Sequence, residues 1–177
     1  RRRFSTSCGQ RSSAVKMPAH SCAACESADL ALFDQAHVVV SLIVILMVSI
    51  CVLVHYEALS WLSGVLPKLN VQRRPRVLLL IFAILLVHSV EIFLFALAYF
   101  FLLQDPAYGA LAGIGELTLI NCGYYSAVVF TTLGLGDIIP QGAIRILTGP
   151  QSLAGFVLIT WSASFTFIEM QSFWKRS

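Results

Sequence analysis

The chain has 177 residues, 58% of them hydrophobic and 12% charged, with a formal net charge of +3. A soluble domain carries about 25% charged residues, so this composition excludes an ordinary soluble globular protein and indicates an integral membrane protein. The basic residues cluster outside the apolar runs, where they bear on orientation and lipid headgroups; no basic–aromatic surface marks nucleic acid as a partner.

Residues 1–36 read as a disordered arm, with Arg1, Arg2, Arg3, Arg11 and Lys16 scattered among Ser, Gly and Thr. No apolar core follows the arginines within the reach of a secretory signal, and Met17 is a candidate initiator. Cys22 and Cys25 form a C-x-x-C pair with His20 just upstream. A metal or redox role would need a second ligand pair or a thioredoxin-like setting, and neither is present. Cys51 and Cys122 sit in apolar contexts and read as small core residues.

The run 38–54 is uninterrupted, Val- and Ile-rich, and of minimal spanning length. It predicts a first transmembrane helix over 37–56, either a peripheral helix packed around whatever follows or a plain anchor. The loop 57–76 carries Trp61 and Pro67, then Lys68, Arg73, Arg74 and Arg76. That density of positive charge in a short loop predicts a cytoplasmic location. The N-terminus then lies outside, since Lys16 is beyond the roughly 15–20 residues over which flanking charge acts. Lys175 and Arg176 return the C-terminus to the cytoplasm.

The second span, 77–103, contains His88 and Glu91, three residues apart and therefore on one helix face. Ionisable side chains at bilayer depth are costly and mark function or an interior structural pair. At 1.5 Å per residue, Glu91 lies about 21 Å along the helix from Val77. That is the depth of the loop that follows, whose backbone donors need partners. The competing role is pH-dependent gating, with His88 as the titrating group.

The next segment is small and apolar and leads into a short helix over 121–131, whose negative dipole end would favour a cation. Then comes Thr131-Thr132-Leu133-Gly134-Leu135-Gly136-Asp137, with glycines alternating with leucines. Glycines so spaced weaken helix and strand alike; they let successive carbonyls point one way. Irregular backbone at membrane depth survives only when buried in protein or lining a water-filled path.

From Tyr124 to Pro140 the sequence resembles the pore loop and selectivity filter of potassium channels, whose reference sequence is TVGYG. The resemblance spans about residues 77–174. Leu133 stands where Val is usual, and Leu135 where Tyr or Phe is usual. It implies that the filter is 132–137. The Thr132 hydroxyl and the carbonyls of Thr132, Leu133, Gly134 and Leu135 would replace potassium's hydration shell, and Gly136 would complete the filter. Asp137 would stand at the outer mouth; otherwise it is a turn residue. It further implies that Tyr124, Tyr125 and Phe130 form an aromatic cuff. Leu135 keeps apolar packing but has no hydroxyl to donate.

The last span, 150–174, has Gly155, Ile159, Ser162, Thr166 and Glu169 on one face. Such a small or polar stripe reads as a cavity lining, with Ser162 and Thr166 its polar members, or as a helix-packing seam. The resemblance makes Gly155 a bending point of the inner helix.

The expected architecture is therefore an all-α membrane protein with three transmembrane helices and a re-entrant pore helix and filter between the second and third. One loop per chain requires four chains around an axis, hence a homotetramer. The expected function is passive potassium conduction, with potassium at the filter as the permeant ion and no cofactor. The expected location is a plasma membrane of the bacterial inner-membrane type. No paired carboxylates, Ser-His-Asp set or phosphate loop points to an enzyme. A poorly selective cation channel and a non-conducting regulatory subunit remain as alternatives.

Overall fold

The computed structural model describes residues 22–68 and 73–175, with side chains described within 35–66, at 68 and within 75–171. It contains four α-helices: α1, Cys22–Val65; α2, Arg73–Leu102; α3, Leu119–Phe130; and α4, Arg145–Lys175. Three of them carry stretches long and apolar enough to cross a bilayer: Gln35–Val65, Pro75–Leu102 and Gly142–Gln171. The protein is an all-α, multi-pass membrane protein. At 12 residues, α3 is only about 18 Å long and too short to span.

α1 begins at Cys22, inside the segment expected to be disordered, and runs past 56 to Val65. Its late turns stay helical because Leu59, Leu62 and Leu66 are buried with Leu80 and Ile84 of α2, and Phe165 of α4 packs against them. Further up, Val40, Val44, Cys51 and His55 continue the buried stripe, while Leu42, Ile45, Leu46 and Leu53 face outward to lipid. Helical spacing sorts the two sets.

α4 also starts earlier than expected, at Arg145, with Pro150 inside it. Pro150 removes one backbone donor near the helix start, but Ile144 and Leu147 are fully buried and hold the first turns in place. α3 starts where Thr118, in extended conformation, accepts a 3.2 Å hydrogen bond from the Asn121 amide and caps the helix.

One element has no counterpart in the sequence expectations. Strand β1 (Ala110–Ala112) pairs antiparallel with β2 (Ile139–Gln141), with Leu111 opposite Pro140. This short ribbon joins the chain before α3 to the chain after the glycine-rich loop.

The expectations for the arm before Cys22 and for Arg176 lie outside the described residues, as do those for the side chains of Cys22, Cys25, Arg73, Arg74, Trp174 and Lys175.

Candidate functional site

The glycine-rich loop leaves α3 directly. Thr131 caps the helix, its amide bonded to the Ala127 carbonyl at 3.0 Å. The amides of Thr132 and Leu133 then turn back to the Val129 and Val128 carbonyls, both at 3.0 Å. Beyond that point the backbone alternates. Thr132, Gly134 and Gly136 have φ of 60°, 57° and 80°, all left-handed, with Leu133 and Leu135 between them. Thr132 is the one non-glycine residue with positive φ among the described residues. Such a conformation costs an L-residue roughly 1–2 kcal/mol, and strain of this kind concentrates at functional sites.

Residues 131–137 are all exposed within the single chain, with Leu133 at 66% and Leu135 at 61%. Neither leucine packs on its own chain's core. The loop closes at Asp137, whose Oδ2 accepts a 2.8 Å hydrogen bond from the Tyr124 hydroxyl. That bond raises the Tyr124 phenol above its usual range.

Behind the loop, α3 is held by a buried polar network that the sequence reading missed. Gln151 of α4 is fully buried; its Oε1 accepts from the Tyr99 hydroxyl at 2.7 Å, and its Nε2 donates to Ser126 Oγ at 2.7 Å. Ser126 in turn donates to the Ile92 carbonyl of α2 at 2.7 Å. Tyr125 lies edge-on to Tyr99 with centroids 5.0 Å apart and pairs with Thr148 Oγ1 at 3.1 Å. These contacts clamp α3 between α2 and α4. Tyr125 and Phe130 are buried in this support, whereas Tyr124 is 43% exposed and turned to Asp137.

Gly155 sits where α4 crosses the end of α3. A β-carbon there would collide with the Phe130 carbonyl oxygen and stand 3.0 Å from the Phe130 ring. Close packing therefore accounts for this glycine. Ser162 lies on the same side of α4 and is buried, 3.2 Å from His55 Nε2 of α1. Within the single chain Ser162 fits the second of its two readings, a packing seam between α4 and α1. Thr166 is half-buried one turn on and donates to the Ser162 carbonyl at 2.8 Å. The opposite face of α4 is open and carries Thr160 and Ser164, which donate to backbone carbonyls one turn earlier.

His88 and Glu91 do pair, with Nδ1 and Oε2 2.9 Å apart, but they are part of a larger cluster. His55 of α1 places its Nδ1 2.9 Å from the other carboxylate oxygen, Oε1. His55 and Glu91 are fully buried, and the His88 side chain is 12% exposed. The two imidazoles stack at 5.3 Å; Trp161 lies 5.4 Å from His55 and Phe130 lies 5.8 Å from His88. His55 escaped notice because it stands near the expected end of an apolar run, where an interfacial histidine is unremarkable. Its one signal was its place four residues after Cys51, on the buried face.

A strained loop of alternating handedness thus leaves a largely buried short helix. Comparison with known families then decides the class. The ion channel family model matches residues 78–172, which cover most of α2, all of α3 and the loop, and nearly all of α4. The chain belongs to the ion channel family. α1 lies outside the matched region and is an additional apolar helix packed on this channel module. No curated protein and no solved structure matches the chain. As a member of an ion channel family built of membrane helices, the protein moves ions across a lipid bilayer, and its architecture points to transport and not to catalysis.

Proposed function

We propose that the chain is one subunit of a homotetrameric potassium channel, in which α3 and residues 132–137 form a re-entrant pore helix and filter. The supporting observation is the alternation of left-handed residues at Thr132, Gly134 and Gly136. Alternating handedness turns successive carbonyls to one side, so that four loops around an axis supply rings of oxygens that replace a cation's hydration shell. The exposed loop is consistent with this, since it has no cover within its own chain. Cyclic symmetry of four identical loops supplies it.

In this reading Asp137 contributes a ring of carboxylates at the outer mouth, and potassium is the only ion held at the filter. Thr160 and Ser164 line the cavity, and Ser162 and Thr166 lie on the opposite face of α4. The face carrying Gly155 and Ser162 is occupied by α3 and α1, so the cavity belongs to the opposite face.

The test is uptake of potassium or sodium into liposomes holding the purified protein. Uptake of potassium without sodium, abolished by Gly134→Ala, supports the proposal. Alanine at φ 57° is strained by roughly 1–2 kcal/mol. Equal uptake of both ions favours a poorly selective cation channel. Leu135 supports that second reading, because it offers no hydroxyl to brace the filter from behind. Uptake of neither ion by a folded tetramer favours a non-conducting subunit.

A further inference from the structure

We propose that His55, His88 and Glu91 form a binding site for one divalent transition-metal ion of the zinc class, joining α1 to α2 beside Ser162 of α4. Two imidazole nitrogens and both oxygens of one carboxylate converge: the ligand atoms of the three residues all lie within 4.8 Å of one another. A tetrahedral zinc with ligands at about 2.0–2.1 Å holds them about 3.3 Å apart. Each imidazole Nδ1 now stands 2.9 Å from a different Glu91 oxygen, so an ion entering between them widens those contacts by a few tenths of an ångström and draws together the ligand atoms that lie further apart. A donor set of two imidazoles and a carboxylate suits zinc and disfavours magnesium and calcium, which take oxygen ligands. Three protein ligands leave a fourth position for water.

The surroundings are those of a metal-binding shell. A ligating histidine usually gives its other ring N–H to a fixed acceptor, which sets the tautomer. His55 Nε2 has such a neighbour, Ser162 Oγ, at 3.2 Å. A carboxylate only accepts, so with metal absent and Glu91 ionised each Nδ1 donates to a Glu91 oxygen, and a neutral His55 then accepts from the Ser162 hydroxyl at Nε2. With metal bound, the His55 proton resides on Nε2 and the same hydroxyl turns to accept it. Serine serves both states because its hydroxyl donates and accepts. Stacking of the two imidazoles, with Trp161 and Phe130 beside them, keeps both rings oriented. His88, at the cluster's partly exposed edge, gives an ion its entry. Cys51, one turn before His55 on α1, is buried but is not one of the converging donors.

Untagged full-length protein in detergent, carrying Cys8→Ser, Cys22→Ser and Cys25→Ser to remove the thiol donors of the N-terminal segment, is titrated with Co²⁺ as an optical stand-in for Zn²⁺. The expected result is one equivalent per chain, with the strong visible absorption of four-coordinate cobalt and no sulfur-to-cobalt charge-transfer band. Zn²⁺ displaces it, and Zn²⁺ raises the unfolding temperature of the metal-free protein. His88→Gln, chosen because His88 is the least buried ligand, loses the absorption and the temperature shift while keeping its helicity by circular dichroism. A folded parent without four-coordinate absorption, or an unchanged spectrum in folded His88→Gln, overturns the site. If His88→Gln does not fold, X-ray absorption of the zinc-loaded parent decides. A shell of two imidazoles with oxygen supports the site; a shell containing sulfur, or only oxygen, overturns it. No readout here uses ion flux, so failure of this site and failure of the channel proposal are separately visible.

Discussion

The Tyr124 hydroxyl donates to Asp137 Oδ2 at 2.8 Å, bridging from the middle of α3 to the far end of the glycine-rich loop. The bond lies at the surface, so its removal costs little: Tyr124→Phe should unfold within a few degrees of the parent. Its effect on conduction should be larger, because the loop loses its tie to the helix. Asp137→Asn keeps an acceptor but removes the charge. Potassium uptake by Asp137→Asn should fall at low ionic strength and approach that of the parent at about 1 M salt, where charges are screened beyond about 3 Å. Liposome flux across a salt series checks this.

Gly155→Ala sets two effects against each other. Alanine gains up to about 1 kcal/mol of helix propensity. Its methyl group, however, would meet the Phe130 carbonyl, a backbone group that cannot swing aside. Overpacking of this sort costs about 1–3 kcal/mol, so the clash wins. Thermal unfolding in detergent should show a lowered midpoint. An unchanged or raised midpoint would mean that α4 and α3 are not in this contact.

The Gln151 network is suited to a double-mutant cycle. Gln151→Leu preserves bulk but leaves the buried Tyr99 hydroxyl without its acceptor, at about 1–3 kcal/mol. Adding Tyr99→Phe removes the stranded hydroxyl, so the double variant should be more stable than Gln151→Leu alone. A purely additive cycle would exclude the coupling.

The two faces of α4 can be told apart by cysteine accessibility. In a channel whose five native cysteines are replaced, Thr160→Cys and Ser164→Cys should react with a charged thiol reagent and lose uptake. Ser162→Cys, buried against α1, should react slowly. Equal reactivity at all three positions would remove the assignment of the cavity to the Thr160 face.

Much of this architecture is legible in the amino-acid order because its signals are local. Three apolar runs of spanning length appear as three spans, and the alternating glycines mark the loop that follows α3, whose start at Leu119 lies two residues before the expected 121. The pairing of His88 with Glu91 follows from helical spacing alone. What was not legible depends on contacts between distant segments. His55 lies 36 residues from Glu91 and 107 from Ser162, and no periodicity links such positions. Ser162 looked like a cavity residue because small polar residues suit a water-lined face and a tight helix seam equally well. The β1–β2 ribbon was missed because three-residue strands carry no usable alternation, and Pro140 argues against a strand anywhere except an edge.

That ribbon has a structural consequence of its own. Because Ala112 faces Ile139 across it, the chain enters and leaves the loop-bearing segment at nearly one point, with Cα atoms about 4.5–5.5 Å apart. Residues 113–138 thus form a cassette with a common doorway. A segment of that kind can be lengthened, shortened or exchanged without respacing the two long helices it hangs from, so under the proposed function the filter is free to diversify apart from the part that holds it in the bilayer.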